Sequence, residues 1–149
     1  MSIGEICNRK VVVMQAEETI AGAAKLMRDQ HVGSVLIVDE QGGKRVPVGI
    51  VTDRDLVVEV IASGLDPDAI TVGDIMMTGF AAVKEETGVF EAIKYMRAKG
   101  VRRLPVVDRE EKLVGIVTLD DLLILLSEEL DALAKLVTRE QQNEVTIRR

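Results

Sequence analysis

The sequence predicts an α+β protein made of two β-α-β-β-α units packed sheet to sheet about a pseudo-twofold axis. Three observations predict it. An eight-residue stretch occurs twice, as Gly49-Ile-Val-Thr52-Asp-Arg-Asp55-Leu56 and as Gly115-Ile-Val-Thr118-Leu-Asp-Asp121-Leu122. Matching continues upstream at a constant separation of 69 positions, aligning Ile3-Gly4-Glu5-Ile6 with Val72-Gly73-Asp74-Ile75, Met27-Arg28 with Met96-Arg97, and Ile37-Val38-Asp39 with Val106-Val107-Asp108. After Asp39 the separation falls to 66, because the first copy has three extra residues in its loop over 40–45. Similarity that persists across a change of loop length marks internal duplication. Finally, each copy runs through the same order of strand-type and helix-type periodicity.

The elements follow in order. Residues 11–14 and 81–83 read as short extended leads. Ile20, Ala23, Ala24 and Met27 fall at helical spacing over 20–30, as do Val89, Ala92, Ile93 and Met96 over 89–99. Residues 34–38 and 104–107 are apolar runs of strand length. They turn through Gly42-Gly43 in the first copy and Asp108-Arg109-Glu110-Glu111 in the second, leading to strands over 48–51 and 113–117. Helices over 54–62 and 120–136 close the copies, and Ser63-Gly64 with Pro67 ends the first of them. This division gives a first repeat over 1–65, a linker over 66–70, a second repeat over 71–130 and a C-terminal helix extension and tail over 131–149. The polar residues 138–149 are expected to fray. Each repeat has about 60 residues, a size at which one core alone is marginal, so the pair is expected to share a core.

Composition narrows the function classes. The chain of 149 residues carries 19 basic and 25 acidic residues, a formal charge of −6. That balance argues against a nucleic acid or an anionic membrane as the main partner. Two Phe, one Tyr and no Trp leave few platforms for stacking single-stranded bases. A single Cys excludes an internal disulfide and fits a reducing compartment. No stretch reaches the roughly 18 apolar residues of a membrane span. Ser2-Ile-Gly-Glu5 carries no basic segment with an apolar core behind it, so a cytoplasmic protein is expected.

Within each duplicated stretch a Thr ends a β-branched run and an Asp follows three residues later, at the mouth of a helix. This pattern suits a helix cap, and for an isolated Ser/Thr-x-x-Asp a cap is the commoner explanation. It also sets a hydroxyl and a carboxylate together beside a helix N-terminus, where anions are favoured. An ionised carboxylate such as Asp55 or Asp121 can accept two hydrogen bonds at once. Thr52 or Thr118, the helix N-terminus and a nearby Arg supply what a phosphate needs.

The order of elements, the Leu104-Pro105-Val106-Val107-Asp108 strand and the Gly-Ile-Val-Thr-x-x-Asp-Leu closure resemble CBS domains, here in tandem as a Bateman pair. The resemblance covers residues 3–130. Two departures stand out: Leu36 occupies a position where the family strand usually has Pro, and Leu119 replaces a more polar residue after Thr118. The resemblance implies a regulatory module with clefts between the repeats for an adenosine-containing ligand such as AMP, ADP, ATP, S-adenosylmethionine, NAD or a cyclic dinucleotide. Each cleft would take its Thr and Asp from one repeat and part of its adenine wall from the other. The first cleft would then hold Thr52, Arg54 and Asp55 with Ala82, Val83 and Val101. The second would hold Thr118, Asp120 and Asp121 with Lys10, Val12, Val13 and Val32, and with Arg102 and Arg103 toward phosphate. Gly33 and Ser34 stand where the second copy has that Arg pair, which favours the second cleft for a phosphorylated ligand.

Other residues have plainer readings. The valines are core residues first, and Arg102-Arg103 reads equally as a solvated basic edge. Asp53, Asp55 and Glu59 complement a helix dipole better than they suggest a metal site. His31 stands at the end of a helix where Gly100 is its counterpart, and Cys7 aligns with Met76 as a small apolar filler. One His and one Cys at these positions assemble no nucleophile–base–orienter set, so neither an enzyme nor a metal site is expected. Leu126, Leu130, Leu133 and Val137 form a helical stripe that reads as part of a core helix or, preferentially, as a homodimer interface. Two function classes are open: a ligand sensor read by a separate target protein, and a non-catalytic dimeric scaffold with empty or degenerate clefts. A pure scaffold has no evident need for the Thr/Asp pair twice, which favours the sensor.

Overall fold

Two three-stranded sheets, related by the internal repeat, organise the computed structural model, which describes residues 1–148 apart from the side chain of Gln41. Each copy opens on a single helical turn, α1 (Ile3–Ile6) and α4 (Val72–Ile75). Their first turns are closed by carboxylates: the Ser2 N–H donates to Glu5 Oε2 at 2.9 Å and the Thr71 N–H to Asp74 Oδ2 at 3.0 Å.

In the first copy β1 (Val13–Met14) lies parallel to β2 (Ser34–Gln41), which turns back as the antiparallel β3 (Lys44–Thr52). The helix α2 (Ile20–Gln30) connects β1 to β2 and buries Ile20, Ala23 and Met27. The second copy repeats this with β4 (Val83–Lys84), α5 (Val89–Lys99), β5 (Arg103–Val107) and β6 (Leu113–Thr118). The crossover helices have the bounds their periodicity predicts. Thr19 caps α2 through a 3.1 Å bond from the Gly22 N–H, and left-handed residues stop both helices, His31 at φ 54° and Gly100 at φ 66°.

The first hairpin is longer than its apolar runs suggest. Gly42 and Gly43, at φ 58° and 80°, make a tight turn that carries pairing out through the mainly polar residues 39–46. The first closing helix also differs from the expected regular helix over 54–62. Only Asp53–Asp55 (α3) is α-helical, and Leu56–Ile61 widens into a π-helix, with the Ala62 N–H bonded to the Val57 carbonyl at 2.9 Å. Four of those six residues, Val57, Val58, Val60 and Ile61, are β-branched and stiff at χ1, whereas the equivalent residues 122–127 of the second copy hold one, Ile124, beside four Leu and Ser127, and stay α-helical. The second closing helix, α6 (Leu119–Ile147), runs 29 residues, so the polar segment expected to fray is helical to Ile147. Ion pairs one turn apart brace the helix at 2.8 Å each, Lys135–Asp131 ahead of that segment and Arg148–Glu144 within it.

The short helices cross over. α4 hooks onto the first sheet: the Val72 N–H donates to the Glu18 carbonyl at 2.8 Å, the Gly73 N–H to Ala16 at 2.9 Å, and Ile50 and Met77 exchange bonds of 2.9 and 3.1 Å. α1 does the same to the second sheet, through Ile3 to Thr87 at 2.7 Å, Gly4 to Glu85 at 2.9 Å, and a reciprocal Asn8–Ile116 pair at 2.9 Å. Every partner in one set is the repeat equivalent of a partner in the other. The core follows the same exchange, since Val72 is fully buried with Met14, Ile20, Ala23, Met27, Val35, Ile37, Val51, Leu56 and Val60. By compactness the chain divides into residues 1–117, which hold both sheets up to Val117, and residues 118–149, which hold α6.

Candidate ligand site

β3 delivers Thr52 in an extended conformation, and α3 starts on the next residue. Thr52 and Asp55 cap each other: the Asp55 N–H donates to Thr52 Oγ1 at 3.2 Å and the Thr52 N–H donates to Asp55 Oδ2 at 2.8 Å. Both side chains are half-buried, while Asp53 and Arg54 are exposed. Asp53 is pinned through its N–H to the Gly33 carbonyl at 2.9 Å, and its Oδ1 accepts from the Arg54 N–H at 2.8 Å. The cap engages one carboxylate oxygen of Asp55. A carboxylate offers two oxygens and about four acceptor directions, so the group keeps capacity toward a donor from outside. The π-helix begins directly behind it, a feature that recurs at functional sites.

The remaining residues of the first set sit on the second sheet. Ala82 is half-buried just ahead of β4, Val83 is buried in β4 opposite Val106, and Val101 is half-buried with its N–H on the Met96 carbonyl at 3.1 Å. The Ile50–Met77 exchange ties the two groups, since Ile50 is two residues from Thr52 and Met77 is five from Ala82. Val83, 7% exposed, is a core residue.

The second set falls in both compact units. In residues 1–117, Lys10 and Arg102 are exposed and Val12, Val13, Val32 and Arg103 are half-buried. Val12 and Val32 pack on the first core, and the Asn8–Ile116 pair lies two residues from Lys10. In residues 118–149, Thr118 and Asp121 reproduce the reciprocal cap, both bonds being 3.1 Å, with Asp120 and Asp121 exposed. Both duplicated Asp residues therefore close a helix. The argument that a scaffold has no structural use for this carboxylate twice is overturned, because the cap is that use.

A groove the sequence did not signal, about 400 Å³, is lined by Gln15, Ala16, Glu17, Val38, Asp39, Glu40 and Val48. Its three carboxylates suit no anionic ligand. Among the described residues no three His, Cys, Asp or Glu side chains are grouped to hold a metal ion, and no helix is long and apolar enough to cross a membrane. Burial pushes the half-buried Cys7 thiol up from its ordinary range, an effect that neighbouring Arg9 opposes.

Comparison with known proteins follows the repeat. The family model for the CBS domain matches residues 3–62 and 72–128. An uncharacterized protein of Methanopyrus kandleri is 45% identical over 123 residues, 83% of this chain but 61% of that protein's length. Hypoxic response protein 1 of Mycobacterium tuberculosis is 34% identical over 118 residues, 79% of this chain and 80% of that one. A solved structure of Hypoxic Response Protein I, holding two coordinated zinc ions, has a TM-score of 0.69 at 32% identity, covering 81% of this chain and 95% of that one. The CBS domain pair of protein MJ0100, in complex with 5′-methylthioadenosine and S-adenosyl-L-methionine, has a TM-score of 0.73 at 26% identity over 87% of this chain and 98% of that one.

Proposed function

The chain belongs to the CBS-domain family as a tandem pair, and from that premise we propose that it is a regulatory module binding an adenosine-containing ligand. The ligand is AMP, ADP, ATP, S-adenosylmethionine or NAD. The observation that carries the reading is the Thr52–Asp55 corner, which keeps carboxylate capacity to spare and is tied through Ile50–Met77 to the segment leading into Ala82. Asp55 accepts the ribose hydroxyls, Thr52 and Arg54 face the remainder of the ligand, and Ala82 and Val101 border the base. The ligand bound by the MJ0100 pair supports this chemistry. Binding acts through different affinity for two arrangements of the repeats, which a separate target protein reads. The module works as a homodimer in the cytoplasm, and no catalytic group is involved.

The reciprocal caps favour a second reading, in which the corners are structural and the pair is a dimeric scaffold. Calorimetric titration and thermal shift with AMP, ADP, ATP, S-adenosylmethionine, 5′-methylthioadenosine and NAD separate the two. At about 100 times its dissociation constant a ligand adds about 2.7 kcal/mol of stability. Asp55→Asn keeps an oxygen for the cap and removes the charge, so the sensor reading expects that stabilisation to fall while the unliganded melting temperature holds. No response to any of the six ligands establishes the scaffold.

A further inference from the structure

The helix α6 is exposed along nearly its whole length, Leu122 being its one buried residue among those described. Leu123, Leu126, Leu130, Leu133 and Val137 follow one another at spacings of three, four, three and four, and they are 56%, 37%, 68%, 60% and 54% exposed. Leu119 extends the series by one step toward the N-terminus. This is a 3.5-residue repeat, the period of a helix that winds about another helix, with Leu123, Leu130 and Val137 at a and Leu119, Leu126 and Leu133 at d. Two-stranded parallel coils carry Leu at d, as here, and a β-branched residue at a, which Val137 supplies at one of the three a positions. The next core positions are Glu140 and Glu144, so the seam ends after Val137.

We propose that α6 pairs with α6 of a second copy of this chain as a parallel, in-register two-stranded coiled coil over residues 119–137. The inference rests on the homodimer reading above and adds its location and direction. The flanking positions decide both. In a parallel pair each g residue lies beside an e residue of the next heptad of the partner, which sets Glu129 by Ala134 and Leu136 by Gln141, with no like charges in contact. The antiparallel register that pairs all six apolar positions sets Glu129 against Glu129 of the other copy, a repulsive contact between like charges. A second copy also presents the same period and length of seam, which an unrelated surface does not.

Sedimentation and light scattering on the full chain test this, together with disulfide trapping. The wild type is expected at twice the 16.3 kDa chain mass. Leu130→Lys is expected at the monomer mass with its sheet circular dichroism intact, whereas the exposed outer-face change Glu128→Gln leaves the dimer. In a Cys7→Ser background, Leu133→Cys faces its own copy in the parallel pair and is expected to form a covalent dimer on oxidation. A monomeric wild type overturns both the homodimer and this seam. A dimer that survives Leu130→Lys overturns the seam alone, and a dimer in which Leu133→Cys does not cross-link overturns its direction.

Discussion

Thr52 and Asp55 hold each other by two hydrogen bonds, backbone to side chain in both directions, at 2.8 and 3.2 Å. The pair closes a helical start that is α for only three residues before it widens, so little else fixes the entry from β3. Asp55→Ala removes the acceptor of one bond and is expected to cost about 1 kcal/mol, as cap losses do. Chemical denaturation measures it. Asp55→Asn is expected within a few tenths of wild type, since its amide oxygen can still accept.

The crossing of the N-terminal segment onto β6 demands a bare Cα. A Cβ at Gly115 would lie 2.7 Å from both the Asn8 carbonyl oxygen and Cys7 Sγ, far inside van der Waals contact. Gly115→Ala is expected to destabilise the protein by about 1–3 kcal/mol, the usual cost of overpacking. The control is Gly88→Ala, where nothing stands within 4 Å of the new atom. Its melting temperature should stay close to that of wild type.

His31 ends α2 in the left-handed region at φ 54°, where its repeat counterpart is Gly100 at φ 66°. A side chain there costs about 1–2 kcal/mol, partly offset by the greater freedom glycine loses on folding, about 0.5–1 kcal/mol. His31→Gly should therefore raise stability by up to about 1.5 kcal/mol, and His31→Val should lower it. Equilibrium unfolding of the two variants measures the difference.

Cys7 carries a pH signature. Its thiol is pushed above its ordinary value of 9.0, first by burial, so the folded state holds the proton more tightly than the unfolded state. The stabilisation is fully present below that ordinary value and is lost as pH rises through the raised one. Wild type should lose stability faster than Cys7→Ser over this alkaline range. At pH 8 the thiol should react with iodoacetamide more slowly than a free cysteine does, because less of it is thiolate.

Much of this architecture is legible in the residues, and the parts that are not have physical causes. The helices α2 and α5 were readable to the residue because Ile20, Ala23, Met27 and their counterparts mark a single buried face. The turn at Gly42-Gly43 was readable too, but periodicity reports burial rather than pairing, so the polar outer hairpin at residues 39–46 was not. The π-helix was hidden because Leu56 and Val60 keep helical spacing while the backbone ring widens. The tail of α6 carries no apolar period after Val137, and an ion pair one turn apart, Arg148–Glu144, braces its end. The matching tetrapeptides at Ile3 and Val72 revealed the repeat but not the partner each takes, since a sequence match carries no direction in space. At the candidate site, the Thr/Asp pairs were found by pattern, and their reciprocal caps are the alternative the pattern also allowed.

The exchanged short helices bear on how such a chain can be divided. A cut within residues 66–70 leaves residues 2–8 joined to the first half in sequence, whereas in space they edge the second half, just as Val72 is a wall of the first core. Neither fragment has its own closing piece, and one expressed alone would leave Ile50 or Ile116 with unpaired backbone at a strand edge. The two leading turns are exchanged one for one, so each sheet is closed only when both copies are present, and the smallest piece with both edges covered is the pair.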